Sequence, residues 1–96
     1  MGRARPRPRR LAEKLLQIRL SLGLSQSEMV NQMGVAEMIH YPNISKYEHD
    51  VIEPPLMILL AYARSAGIPV EQIIDDELEL KLDTFTKETN LIDKAK

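Results

Sequence analysis

Residues 25–50 read SQSEMVNQMGVAEMIHYPNISKYEHD and carry the strongest structural signals in the chain. Ser25 and Glu28 have the spacing of a capping box, in which each side chain accepts a hydrogen bond from a backbone amide at the start of a helix. Gly34 is a typical residue just beyond a helix C-terminus. These signals predict a short helix over about 26–33. Its buried side is expected to hold Met29, Val30 and Met33.

A second short helix follows after a turn. Pro42 suits the first position of a helix, because the amide that proline lacks has no partner there. Ile44 and Tyr47, three positions apart, form the expected inward side of this helix. The helix is therefore predicted over about 42–49, and residues 35–41 are expected to form the turn that precedes it.

Three further helices are predicted around this pair. Apolar residues at spacings of three and four indicate a helix over 9–22, a helix that Pro54 and Pro55 open and Gly67 ends, and a short helix over about 70–75. The residues expected on their buried sides are Leu11, Leu15, Ile18, Leu22, Leu56, Leu59, Leu60, Ala63 and Ile73. The fold class is thus predicted to be all-α.

Charge is unevenly distributed along the chain, although the formal net charge is only −1. Residues 1–10 contain five arginines and no acidic residue, whereas residues 71–96 contain four basic and eight acidic residues. We therefore divide the chain into a basic flexible arm at 1–8, a helical domain at 9–76 and an acidic tail at 77–96.

The start of the tail has a different pattern from the rest of the chain. Leu78, Leu80 and Leu82 alternate with charged residues, and a period of two predicts a strand. A single strand is not stable alone. Pairing with the same strand of a second subunit is one interpretation, and a partly ordered tail is the other.

Composition argues against several classes of protein. The chain has no cysteine and only two histidines, so the sequence predicts no disulfide, no metal site and no cofactor. No stretch approaches the length of about 20 apolar residues that crosses a membrane, and the basic N-terminus lacks the apolar region of a secretory signal. Without a nucleophile–base pair or a glycine-rich phosphate loop, no catalytic residue and no enzyme activity are predicted. A cytoplasmic protein is expected.

An ordered series of short motifs runs from Leu15 to Ile74. Its members are Ile18-Arg19, Leu22-Gly23-Leu24-Ser25-Gln26, Met33-Gly34-Val35, Ile44-Ser45-Lys46-Tyr47-Glu48, Glu53-Pro54 and Ala66-Gly67-Ile68. In order and spacing, this series resembles the helix-turn-helix domain of the phage repressor and Cro family, also called the XRE family. The resemblance implies a five-helix lambda-repressor-like domain that binds double-stranded operator DNA as a homodimer.

By the same resemblance, the third helix is the recognition helix and enters the major groove of DNA. Ser25 and Gln26, at the N-terminus of the second helix, would contact the DNA backbone, since free amides there favour a phosphate. The candidate contact residues of the third helix are Tyr41, Pro42, Asn43, Ser45 and Lys46. Lys46 has the chemistry to pair with guanine, and Asn43 with adenine.

Two other features of the sequence have a role in this picture. Arg19 and Glu48 resemble a pair that ties the first helix to the end of the third in the family, which makes them a structural pair. Arg3, Arg5 and Arg7 of the arm would lie in the minor groove, as extended basic arms do. The alternative is that the arm is a solubilising segment that binds any polyanion.

The chain departs from the family pattern in two places. Nine residues separate Gly34 from Ile44, several more than usual. Met38 and Ile39 are expected to pack this longer turn onto the core, or else to form an extra helical turn after Val35. The second departure follows Glu48, where the basic residues typical of the family are replaced by His49-Asp50-Val51-Ile52. The two apolar residues of that segment are candidates for a dimer surface.

The sequence therefore predicts a sequence-specific DNA-binding regulator of transcription, most readily a repressor. The alternative is an antitoxin or adaptor module on the same fold that acts mainly through protein–protein contacts. In that case a protein partner would bind residues 76–96.

Overall fold

The computed structural model describes residues 7–82 and shows five helices over that part of the chain. They are α1 (Leu11–Leu22), α2 (Gln26–Met33), α3 (Tyr41–Glu48), α4 (Leu56–Ala66) and α5 (Glu71–Ile74). The predicted all-α fold class is confirmed for these residues. None of these helices is both long and apolar enough to cross a membrane.

Local sequence signals account for the ends of several helices. The capping box predicted at the start of α2 is present, with Ser25 as the N-cap. Gly23, Gly34 and Gly67 each have a φ near 70° and follow the last residues of α1, α2 and α4. A residue in this left-handed conformation ends a helix. Glycine adopts the conformation at the lowest cost, because it has no Cβ.

Four helices begin one or two residues from their predicted starts, and one of them is α5, which starts at Glu71 rather than Val70. α1 starts at Leu11 rather than Arg9, and the amides of Arg9 and Arg10 that precede it donate to the carboxylate of Asp76. α4 starts at Leu56, since Pro55 holds the preceding residue out of the helical conformation. α3 starts at Tyr41, so Pro42 is its second residue rather than its first; the second amide of a helix also lacks a partner.

All five helices contribute residues to the core. α1 contributes Leu11, Leu15 and Ile18, and α3 contributes Ile44 and Tyr47, as the sequence predicted. α2 packs against α3 and α4, whereas α5 packs against α1. Ile73 is the fully buried residue of α5.

The predicted buried side of α4 was partly wrong. The helix buries Ile58, Leu59, Tyr62 and Ala63, whereas Leu56 is 77% exposed and Leu60 is only half-buried. The error arises because α4 is apolar around most of its circumference, so its periodicity does not indicate which side faces the core.

The lengthened turn between α2 and α3 contains one hydrogen-bonded turn. The amides of Met38 and Ile39 both donate to the carbonyl of Val35, at 2.8 and 3.0 Å. Val35 and Ile39 are buried, as expected for a turn packed on the core, but Met38 is 57% exposed. The prediction that Met38 packs the turn inward is therefore wrong.

The segment predicted as a strand is not paired within the described part of this chain. Residues 75–82 follow α5 without regular structure. Leu80 and Leu82 are half-buried and pack against the core, while Leu78 is more exposed. Pairing with a second subunit stays a prediction, and residues 83–96 of the predicted tail lie outside the described part.

Candidate nucleic-acid interface

The side chains of Ser25 and Glu28 cap the N-terminus of α2. The hydroxyl of Ser25 accepts a hydrogen bond from the Glu28 amide at 3.1 Å, and a Glu28 carboxylate oxygen accepts one from the Ser25 amide at 2.7 Å. Ser25 is exposed beside this cap. The capping role of Ser25 that the spacing predicted is confirmed.

A hydrogen-bond network joins α1, α2 and α3. The Arg19 guanidinium donates to both oxygens of Glu48, from Nε at 2.6 Å and from Nη2 at 3.0 Å. Its third nitrogen donates to the carbonyl of Leu24 at 2.9 Å. The predicted pair of Arg19 and Glu48 is confirmed, and it orients α3 against the start of α2.

Gln26 belongs to the same network, which the sequence did not indicate. Its side-chain nitrogen donates to Glu48 at 3.3 Å, and the residue is half-buried. Gln26 is therefore held in place by α3 rather than free in solvent. The carboxylate raises the pKa of Arg19 through hydrogen bonding, so the guanidinium stays charged.

Tyr62 on α4 lies next to this network and is fully buried. Its hydroxyl has no hydrogen-bond partner among the described residues. Burial, and then the charge of Glu48, raise the pKa of Tyr62 well above its usual range. Tyr62 is thus an uncharged side chain that lies beside the ion pair.

α3 has one buried and one exposed side. Ile44 and Tyr47 are buried, whereas Tyr41, Pro42 and Lys46 are exposed. The Lys46 side chain makes no hydrogen bond or ion pair with another residue of 7–82, so its ammonium is available to a ligand. α3 can therefore present a cation and an aromatic side chain outward while its other side anchors it.

The remaining candidates on α3 are less exposed than Lys46. Asn43 is half-buried and lies near Tyr47, whose pKa is raised by burial and lowered to a smaller extent by Asn43. The Ser45 hydroxyl lies 3.3 Å from Nδ1 of His49. These two side chains are less available for contact than Lys46.

Arg7 of the basic arm contacts the residue that follows the end of α3. Its guanidinium donates to a carboxylate oxygen of Asp50 at 2.7 Å and to the Asp50 carbonyl at 3.1 Å. The arm therefore passes beside α3 where it enters the described part of the chain. Arg3 and Arg5 lie outside the described residues.

Most other basic side chains of residues 7–82 are also engaged. Arg10 forms a double hydrogen bond with Glu79, and Arg9 lies near Asp76. Lys14 is fully buried and donates to three backbone carbonyls. Few cations in this part of the chain are free to meet an anionic partner, and Lys46 is the one on α3.

The described residues do not bring together three or more side chains that could hold a metal ion. The candidate interface is thus a polar helix surface held by an ion-pair network rather than a pocket of reactive groups. In comparisons of the chain with models of known families, with curated proteins and with solved structures, nothing matched.

Proposed function

We propose that this chain is a sequence-specific double-stranded DNA-binding regulator of transcription, most readily a repressor, on an XRE-type helix-turn-helix fold. In this proposal α2 and α3 form the helix-turn-helix, and α3 is the recognition helix. A single observation carries the proposal: α3 exposes Lys46 on its outer side while Glu48, at its end, is clamped by Arg19 and Gln26.

The clamp matters because base readout requires a fixed helix. A hydrogen-bonding side chain discriminates bases only when the backbone that carries it has one position relative to the groove. The double hydrogen bond from Arg19 and the buried Ile44 and Tyr47 supply that constraint from behind α3. Lys46 would then reach the acceptors of a guanine in the major groove.

The start of α2 and the basic arm would supply backbone contacts. Ser25 and Gln26 lie at the N-terminus of α2, where partly positive amides favour a phosphate. The Arg7–Asp50 contact directs the arm along the end of α3, so the arm would enter the groove next to the one that α3 occupies. Tyr41 and Pro42 would contact thymine methyl groups.

A homodimer is part of the proposal, because two recognition helices read half-sites one helical turn apart, about 34 Å. Val51 and Ile52 lie three and four residues beyond the end of α3 and are exposed. Exposed apolar residues beside the recognition helix are suited to a contact between two copies of the chain.

The experiment is selection of binding sites from random duplex DNA, followed by affinity measurements at low and high salt. We expect one preferred site and a steep loss of affinity as the salt concentration rises. The arginines of the arm would displace counterions from the DNA when they bind its phosphates, and high salt opposes that release. The variant Lys46→Ala should lose about tenfold or more in affinity for that site. The matched control is Lys81→Ala, which removes an exposed lysine outside α3.

Two results would overturn the proposal. One is the absence of any preferred site at every salt concentration. The other is a preferred site for which Lys46→Ala and Lys81→Ala bind equally well.

The second candidate is an antitoxin or adaptor module that acts through protein contacts. The pairing of Arg7, Arg10 and Arg19 with carboxylates of the chain favours it, because those cations are partly neutralised. A protein partner that binds residues 76–96 and leaves no affinity for DNA would support this candidate over the first.

A further inference from the structure

A groove of about 370 Å³ lies between the end of α2, the lengthened turn and α4. Its walls combine polar side chains with apolar ones, among them Met33, Met38, Met57 and Leu60. No residue of α3 lines it within the described part of the chain. The groove is therefore separate from the candidate nucleic-acid interface.

α4 forms one wall of the groove with residues that lie outside the fully buried core, although Ala61 also packs against it. Met57, Leu60, Ala61 and Arg64 recur at spacings of three and four, which puts them on one side of the helix. The core uses the neighbouring side, with Ile58, Leu59, Tyr62 and Ala63. α4 thus has a second apolar side, and it ends in a cation.

The lengthened turn forms the opposite wall. Val35 and Ile39 anchor this turn in the core, and Met38 is left exposed at the groove. The additional residues of the turn, which the candidate interface does not explain, therefore serve to build the groove. Methionine side chains are flexible and polarisable, and they adapt to an apolar ligand more readily than branched residues do.

Arg64 is the polar feature that defines the chemistry of the groove. Its side chain is exposed and makes no hydrogen bond or ion pair with another residue of 7–82. A guanidinium matches the two oxygens of a carboxylate and binds it with paired, charge-assisted hydrogen bonds. Gln32 and Ser65 add neutral polar groups to the lining.

We propose that this groove binds a small carboxylate with an unbranched apolar chain. The carboxylate would pair with Arg64, and the chain would lie along α4 towards Met57, a distance of roughly 10 Å for seven helical residues. The volume is in the range of small-molecule sites, which are largely apolar with a few polar groups that orient the ligand. Arg64 at one end of a row of apolar side chains on α4 fits one head group on one chain.

Octanoate is the probe for the test, and methionine methyl groups report on its position. The chain has five methionines. Met33, Met38 and Met57 line the groove, whereas Met29 is fully buried in the core and serves as an internal control. With ¹³C-methyl-labelled methionine in the full chain, we expect saturable shifts at the three groove signals and none at Met29.

Two comparisons isolate the role of Arg64. The variant Arg64→Gln should weaken octanoate binding by about tenfold or more, because a charge-assisted hydrogen bond is lost. The matched control Lys81→Gln removes an exposed cation that does not line the groove and should bind as the wild type does. Octanamide, which has the same chain without the charge, should bind the wild type as weakly as octanoate binds Arg64→Gln.

Three results would overturn the inference: no saturable shift with octanoate, equal binding of octanoate and octanamide, or unchanged binding by Arg64→Gln. If sedimentation shows that Arg64→Gln and Met57→Glu weaken self-association while octanoate does not bind, a second copy of the chain occupies the groove instead. None of these outcomes depends on DNA binding, so this inference and the proposed function can fail separately.

Discussion

Arg19 and Glu48 form the most buried ion pair described in the chain, with side chains 14% and 3% exposed. Neither charge has full access to water, so each depends on the other for its hydrogen bonds. Arg19 also holds the carbonyl of Leu24, which leads into the cap of α2. A single pair of side chains thus sets the relation between three helices.

Removing one member of this pair should be costly. We expect Glu48→Ala to lower the free energy of unfolding by about 3 kcal/mol, because the guanidinium of Arg19 is left partly buried without a counterion. Urea denaturation followed by circular dichroism measures this change. The double variant Arg19→Met/Glu48→Met is the control and should recover much of the loss. A cost below about 1 kcal/mol for Glu48→Ala would mean that the pair behaves as an exposed one.

Lys14 is also charged and is fully buried, but backbone carbonyls rather than a carboxylate bind its ammonium. Its ammonium donates to the carbonyls of Gln72, Asp75 and Leu78 at 2.7 to 2.8 Å. Three donors meet three acceptors, which satisfies the hydrogen-bonding capacity of the group. Lys14 therefore joins α1 to the end of α5 and to the segment after it.

Substitution of Lys14 should release that segment. We expect Lys14→Met to cost about 2 kcal/mol or more, because three carbonyls lose a charged donor and only the apolar stem is replaced. Hydrogen exchange should become faster for the amides of residues 75–79. Lys81→Met serves as the control, since Lys81 is exposed. Unchanged exchange at 75–79 in Lys14→Met would contradict the role assigned to Lys14.

At the scale of single elements, the residues at the helix ends strongly affect stability. α2 has only eight residues, so its two caps affect a large share of its backbone hydrogen bonds. At its C-terminus Gly34 has a φ of 70°, and its amide donates to the carbonyl of Asn31 at 3.1 Å. The direction in which the chain leaves α2 depends on this one residue.

Gly34→Ala isolates the conformational cost of that turn. A Cβ at Gly34 would meet no atom within 4 Å, so only the left-handed backbone opposes the change. We expect a loss of about 1 kcal/mol in the free energy of unfolding. Gly34→Asn should lose less, because asparagine tolerates this conformation. Equal stability of wild type and Gly34→Ala in urea denaturation would show that the backbone relaxes at this position.

At the scale of the molecule, contacts between residues 9–10 and residues 76–79 join distant parts of the described chain. Asp76 accepts hydrogen bonds from the backbone amides of Arg9 at 2.8 Å and Arg10 at 2.9 Å, and so holds the two residues that precede α1. Arg10 in turn holds Glu79. The position at which the basic arm enters the domain is therefore set by the segment that follows α5.

These contacts should depend on pH. The amides of Arg10 and Arg9 hold the pKa of Asp76 below its ordinary value, so the ionised carboxylate is the form that stabilises the fold. Its contribution is complete above the pKa of the unfolded chain, about 3.9, and is lost as the pH falls through the lower folded-state value. Asp76→Asn should therefore be less stable than the wild type at pH 7.

The difference between the two proteins should shrink as the medium becomes more acidic than about pH 4. Thermal unfolding across pH 2 to 7 measures it. Asp75→Asn removes the same charge from the neighbouring residue, whose carboxylate accepts from the Glu77 amide and which contacts α1 only through its backbone carbonyl. This variant separates loss of charge from loss of the hydrogen bonds to Arg9 and Arg10. A difference that is constant with pH would contradict this account.

Some parts of the candidate interface could be predicted because their chemistry is local or reciprocal. Ser25 and Glu28 are three residues apart. Arg19 and Glu48 have opposite charges and stand at positions that the resemblance identifies as a pair. The role of Gln26 as a donor to Glu48 could not be predicted, since it depends on how α2 and α3 cross. Lys14 occupies the same helix side as Leu11 and Ile18, and this position was the one available signal of its burial.

By itself, the sequence determined where most helices end and that the chain is all-α. Caps, glycine conformations and apolar periodicity act over a few residues, so they do not depend on the rest of the fold. Only the tertiary structure decided which side of α4 faces the core, which carboxylate holds the residues before α1 and where the groove beside Arg64 forms. Each of these depends on residues that are distant in the chain and are brought together by packing, and local sequence carries no information about such pairs.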